Sequence, residues 1–237
     1  MLTAFKNAKQ RKTKNMSIYY SDFNFERYLA FRSKVYERYA ENAQIIRNRQ
    51  GERVNSRKTD QIEISCNDEY GWFDLMFSCS DGRNIQVPLS DFSSPISELR
   101  SWMKQMIQCT NPTHRLVSEY IADCEDDYYI FNFEQLNEDG DGIFTIYHSY
   151  GFEGASKEDS FDAYCNYKWL VSTLYSTVLQ YWQNHEEDKF FSWTIGKYDT
   201  DKPQKVASLI KSKIIEDFIQ NLEKNKQTGQ ARCLENV

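Results

Sequence analysis

The sequence predicts an α+β fold: an antiparallel sheet of about six strands packed against helices, with a long N-terminal helix in front. Three observations predict it. Segments of strand period come in two runs of three; connections of hairpin length join the members of each run; and segments of helical period stand before, between and after the runs. The resulting order, α, β-β-β, α, β-β-β, α, α, separates helices from strands and excludes a doubly wound parallel sheet.

Each element has its own signal. Residues 1–20 are polar and basic without sustained periodicity, which predicts a flexible arm. Phe25, Tyr28, Leu29, Arg32, Val35, Tyr36, Tyr39, Ala43 and Ile46 recur at helical spacing, and Gly51 stands where a helix over 23–50 would stop. A polar connector, residues 51–60, leads to the first run of strands. Gln61–Cys66 and Trp72–Cys79 alternate apolar and polar residues, Ser80-Asp81-Gly82 reads as a turn, and Ile85–Leu89 is the third strand. Pro88 places that strand at an edge, because proline cannot donate to a ladder.

Ser94 and Pro95 open a helix over about 95–108, with Ile96, Leu99, Met103, Met106 and Ile107 as its stripe. Arg115–Cys124, Tyr128–Glu134 and Ile143–Tyr150 form the second run. Asp162–Asn166 reads as the start of a central helix whose wide apolar face runs from Tyr167 to Trp182. Phe190–Tyr198 is a short strand or a packed loop. A last helix spans 203–223, and 224–237 reads as a frayed tail. One α+β domain over 21–223, with its core at 60–184, accounts for the whole pattern.

Composition narrows the class. Apolar residues make up 40% of the 237, enough for a sizeable core, and aromatic residues 15%. No apolar run is long enough to span a bilayer, and the N-terminus lacks the apolar segment of a secretory signal, so a cytoplasmic protein is expected. Cys66, Cys79, Cys109, Cys124, Cys165 and Cys233 are scattered without a CxxC pair, and read as reduced thiols in or near the core.

Charge is unevenly distributed. Between Leu116 and Ser156 lie Glu119, Asp123, Glu125, Asp126, Asp127, Glu134, Glu138, Asp139, Asp141 and Glu153, and no Lys or Arg. These carry −10 against a chain total of −6, so the remainder is +4. Ten like charges repel one another when packed. Arg32, Lys34, Arg100, Lys104 and Lys168 are the candidate counter-charges. Without them the stretch forms a negative surface suited to a basic partner, with Tyr128, Tyr129, Phe131, Tyr147, Tyr150 and Phe152 as possible anchors. The alternative is a set of solvated turns.

Local motifs for chemistry are weak. Asn137-Glu-Asp139-Gly-Asp141-Gly142 places oxygens as a calcium loop does, but its twelfth position is His148 and a strand follows, so a hairpin turn fits better. Glu125, Asp126 and Asp127 could serve two-metal chemistry, yet adjacent carboxylates on a loop point apart. His114, His148 and His185 have no local zinc spacing, and a Cys165–His148 dyad depends on spatial adjacency. Gly151-Phe-Glu-Gly154 lacks the patterns that cradle phosphate. The basic arm, with Lys6, Lys9, Arg11, Lys12 and Lys14, lacks interleaved aromatics, and the acidic middle opposes a polyanion. No cofactor, metal, membrane or nucleic acid is expected.

The strand-to-helix segment PLSDFSSPISELRSWMKQMI, from Pro88 to Ile107, carries Ser94-Pro95, Leu99, Trp102 and Ile107. It is followed by a strand ending in acids (Glu119 to Asp127), an aromatic strand (Tyr128–Phe133) and a closing helix (Trp169–Trp182). This pattern, over residues 60–184, resembles immunity proteins of bacterial polymorphic and contact-dependent toxin systems. The helix at 23–50 and the helix after Pro203 lie outside it. The resemblance implies a small, acidic, non-catalytic cytoplasmic protein that binds one cognate toxin and covers its active surface, its carboxylates standing in for substrate phosphates. The expected contact set is Glu125, Asp126, Asp127, Tyr128, Tyr129, Glu138, Asp139, Asp141, Tyr150, Phe152 and Glu153. A metal-assisted hydrolase using the loops of 119–141 (Asp123, Asp127, Asp139 or Asp141, with His148) and an oligomeric adaptor are the alternatives.

Overall fold

Strands form where apolar residues alternate, but they divide into two sheets. A computed structural model of the chain describes residues 25–39, 59–69, 72–89, 95–108, 117–124, 127–150, 160–184 and 206–234. Strands β1 (Ile62–Glu69), β2 (Trp72–Cys79) and β3 (Asn84–Leu89) make one antiparallel meander. Strands β4 (Val117–Cys124), β5 (Asp127–Gln135), β6 (Asp141–Tyr150) and β7 (Ser160–Asn166) make the second. The helices among the described residues are α1 (Phe25–Arg38), α2 (Pro95–Gln108), α3 (Tyr167–Asn184), α4 (Val206–Ile210) and α5 (Lys213–Leu234).

The α+β class holds, while the expected single sheet is corrected to sheets of three and four strands. The sheets meet through their faces. The Phe77 ring of β2 lies 5.9 Å from Phe131, 5.5 Å from Phe144 and 6.1 Å from Phe161, centroid to centroid, on three strands of the second sheet. Alternation in sequence marks a buried face but does not say whether a sheet or a helix covers it. Trp102 of α2 packs on the same face, 5.9 Å from Phe131, and Phe73 meets Trp182 of α3 at 5.1 Å. Sheets and helices α2 to α5 thus share one continuous core.

The local signals hold closely in places. Helix α2 starts on Pro95. Gly82 takes φ +93° in the β2–β3 turn, where its N–H donates to the Cys79 carbonyl at 3.0 Å. Strand β3, with Pro88, is an edge. Cys66, Cys79, Cys124 and Cys165 are free thiols, and burial pushes Cys66 up to about 12 and Cys79 up to about 11.

The boundaries of the central helix and of the C-terminal helix differ. Residues 160–166 are a strand, not the start of a helix: Phe161, Ala163 and Cys165 alternate into the core. The helix begins one residue later, because the Asn166 Oδ1 accepts the Lys168 N–H at 3.0 Å as its N-cap. The C-terminal helix breaks at Lys211–Ser212, where the Tyr175 hydroxyl accepts the Ser212 N–H at 3.0 Å and donates to Glu216 at 2.8 Å; α5 then runs to Leu234. At the N-terminus, helix is seen over Phe25–Arg38, and the expected continuation to residue 50 lies outside the described residues. The basic arm, the Gly151–Gly154 loop, Phe190–Tyr198, His114 and His185 also lie outside them.

Candidate protein-binding face

The acid-rich stretch folds almost entirely into the four-stranded sheet, and strand alternation sorts its residues between two faces. Register places Tyr120 and Ala122, Tyr129 and Phe131, Phe144 and Ile146, and Phe161 and Ala163 on the inner face, toward the core. The outer face receives Glu119, Ile121, Ile130, Asn132, Glu134, Asp141, Ile143, Thr145, Tyr147, Asp162 and Tyr164. The four strands contain no Lys or Arg.

Helix α1 lies on this outer face. Tyr28 packs with Ile130 and Tyr147, while Val35 and Tyr39 pack with Leu136, Ile143 and Tyr164. These are two small apolar islands, both separate from the main core. Leu29, which shares the helical spacing, faces solvent instead. Between the islands runs a polar strip. The Arg32 guanidinium donates to the Glu134 carboxylate at 2.9 Å, and both side chains are largely buried. Burial raises the Glu134 carboxyl above its ordinary range, with Arg32 opposing the rise. Asn132 and Thr145, cross-strand neighbours only 2% and 4% exposed, line a void with Arg32 and Glu134. The void measures about 10 Å³, room for roughly one water molecule. The Asn132 amide nitrogen and the Thr145 hydroxyl have no protein partner.

A second charged group fixes the C-terminal end of α1. Arg38 bonds Asp162 at 2.9 Å, the Tyr39 hydroxyl donates to Asp60 at 2.7 Å, and Asp60 also accepts the Tyr164 N–H at 2.7 Å. Arg83, from the β2–β3 turn, joins Asp60 at 3.1 Å, Asp81 at 2.8 Å and the Asp162 carbonyl. The network ties α1 to both sheets. Burial raises the Asp162 carboxyl, and Arg38 and Arg83 oppose the rise. Among the described residues, no group of three or more His, Cys, Asp or Glu is placed to hold a metal ion.

The β5–β6 turn forms the exposed rim. Asn137 accepts the Asp141 N–H and donates to its carboxylate, both at 2.9 Å, and Asn166 donates to the other Asp141 oxygen at 2.8 Å. Gly140 takes φ +97°, and a Cβ there would lie 2.6 Å from the Tyr167 ring. The Asp141 oxygens therefore receive amide donors in a hairpin turn, as the spacing suggested. Glu138 and Asp139 project from this braced turn into solvent. The Gly140 carbonyl accepts the Tyr167 N–H at 3.0 Å, which sets the first turn of α3 against the rim; Trp169, two residues on, is 38% exposed.

The expected contact residues thus separate. Glu138 and Asp139 are exposed, and Asp127 and Asp141 partly so. Tyr128 and Tyr129 are 8% and 5% exposed, Phe131 lies in the core and Tyr147 lies under α1, so these rings are packing residues and not surface anchors. Glu125, Asp126, Phe152, Glu153 and the Tyr150 side chain lie outside the described residues. Cys165 and His148 form no dyad: Cys165 stands opposite Gly142, six residues along β6 from His148, or about 20 Å. His148 instead stacks on Tyr129 at 4.1 Å, its Nε2 3.5 Å from Asp127. That pair and the Asp139–Asp141 turn occupy opposite ends of β5 and β6, so Asp127 and His148 do not converge with Asp139 and Asp141.

The matching of Glu134 by Arg32 was foreshadowed by charge alone, whereas the Asp60–Arg83–Asp162 network and the exposed Trp169 had no signal in sequence. Comparison of the chain with protein-family models, curated proteins and solved structures finds no match. No helix among the described residues is long and apolar enough to cross a membrane.

Proposed function

We propose that the chain is a binding protein of the immunity type, which acts in the cytoplasm and neutralises a cognate bacterial toxin by covering a basic functional surface of it. One observation carries this reading: two carboxylates, Glu138 and Asp139, stand exposed on a turn braced by side-chain bonds, next to the helix start that exposes Trp169. A rigid acidic rim beside an indole suits a cationic protein surface, because the carboxylates steer and orient while the aromatic ring supplies contact area. The turn carries little ordering cost on binding, since its geometry is already fixed. Glu125, Asp126 and Glu153 extend the same negative charge along the sequence.

The test is binding to the product of the neighbouring gene, followed by calorimetry. The double variant Glu138→Lys, Asp139→Lys should bind about 100-fold more weakly, with the loss shrinking at high salt, and Trp169→Ala about tenfold more weakly. Unfolding of all three proteins should stay nearly unchanged, because the side chains are exposed. Unaltered affinity in both variants excludes the rim as the contact.

A further inference from the structure

We infer that the outer face of the four-stranded sheet is a docking site for a basic amphipathic helix, and that α1 occupies it as an intramolecular stand-in which a partner's helix displaces. The inference deepens the proposed function and rests on its basic partner, but it concerns a different face from the Glu138–Asp139 rim.

Charge complementarity is the first argument. Glu119, Glu134, Asp141 and Asp162 share the outer face, and the four strands supply no base. Helix α1 brings Arg27, Arg32, Lys34 and Arg38 against Glu26 and Glu37, a net positive charge. Arg32 meets Glu134 and Arg38 meets Asp162. An acidic sheet face interleaved with Ile and Tyr is thus shown, in this molecule, holding a basic helix by its Tyr28, Val35 and Tyr39 side. This is the helix-in-groove mode of recognition, played within one chain.

The second argument is that the seat is imperfect. Its apolar contacts are two islands apart from the main core, and the strip between them buries the Asn132 amide nitrogen and the Thr145 hydroxyl without a protein partner. Buried polar groups left so weaken an interface relative to an apolar one of the same shape. At the C-terminal end of α1, the Arg38–Asp81 pair is half-exposed, and Arg38 is itself 37% exposed where it meets the largely buried Asp162; exposed pairs contribute little and are screened by salt. An element held in this way opens locally, without unfolding the core. A helix with a better-matched polar strip would then replace it.

The probe is a fluorescein-labelled peptide of residues 25–38, with a scrambled peptide as control, added to the full-length protein. Val35→Asp places a charge in the apolar island and unseats α1 in its own chain. This variant should bind the peptide about tenfold or more tightly than the wild type, by fluorescence anisotropy, and adding Glu134→Lys should abolish the gain. Near-ultraviolet dichroism of the core Trp102 and Trp182 reports whether the variants keep their fold. Hydrogen exchange on the wild type keeps the inference testable without any variant: α1 amides should exchange at least about tenfold faster than those of β5 and β6 under native conditions. Equal peptide binding by wild type and Val35→Asp, or α1 exchanging in step with β5, overturns the inference. Neither outcome touches the rim, whose variants are read by partner binding, so the two ideas fail separately.

Discussion

The two faces of the four-stranded sheet come from the same strands, yet they are built on different rules. On the inner face, Phe131, Phe144, Phe161 and Ala163 join a core that takes in the other sheet and four helices. On the outer face, Glu134, Asn132 and Thr145 separate two apolar islands, and among the described residues one helix is the cover. The inner face fixes the fold; the outer face holds a removable contact. Alternation lets a single strand serve both, since adjacent residues point to opposite sides.

The largest expected effect separates the faces directly. Phe131→Ala should cost about 3–5 kcal/mol in urea unfolding, because the void it leaves is walled by Phe77, Trp102 and Phe144 and cannot collapse. Its strand neighbour Ile130→Ala should cost about 2 kcal/mol or less, at the low end for such a truncation. The reason is a ceiling: once the loss exceeds the docking free energy of α1, the helix lets go and further damage has no effect on global stability. Equal losses at Phe131 and Ile130 would show that the outer face is ordinary core.

A middle-sized effect concerns the buried ion pair. Arg32→Met strands the Glu134 carboxylate and, under the same ceiling, should destabilise by about 1–2 kcal/mol at neutral pH, whereas Arg32→Met combined with Glu134→Leu should recover most of the loss. The pH dependence has a definite sign. Burial raises the folded-state pKa of Glu134 above its unfolded value, so the folded state holds this proton more firmly, and stability falls as pH rises from the ordinary glutamate range through the raised value. Without Arg32 to oppose burial, the rise is greater. The Arg32→Met penalty should therefore fade as the solution is acidified through that window, while the double variant shows no such recovery. A penalty that persists in acid would mean that Arg32 acts by packing against Tyr28 and Tyr36, not by neutralising Glu134.

These contrasts mark what could be read from the sequence. Every strand of the first sheet and most of the second were legible, because apolar alternation is a local property; so was the Asn137–Asp141 turn, from its residue types. Strand β7 was not, since Asp162 and Asn166 mimic helix-start residues while the cap at Asn166 lies at the strand's end. The number of sheets was not legible either, because face-to-face stacking through Phe77 leaves no mark that differs from edge pairing. For the candidate site, the concentration of carboxylates was plain, but its division among an exposed rim, a buried pair and a turn depends on register across four strands. The aromatic residues misled for the same reason: Tyr129 and Phe131 alternate onto the inner face, and Tyr147 onto the face that α1 covers.

The smallest expected effect is the sharpest test of the difference between the faces, because its sign reverses between them. On the outer face, Thr145→Val exchanges a buried hydroxyl without a protein partner for a methyl group of nearly the same shape. It should leave stability unchanged or raise it by up to about 1 kcal/mol, since the desolvated hydroxyl is removed. It should also slow exchange of the α1 amides, because the polar strip under the helix becomes more apolar. The converse exchange in the main core, Val87→Thr on β3, buries a new hydroxyl among apolar neighbours and should cost about 1–3 kcal/mol. If Thr145→Val also costs stability, then the hydroxyl is satisfied by water in the void it lines, and the outer face is a wet but well-made interface. Faster α1 exchange in that variant would add that the water, and not the helix alone, holds the two islands together.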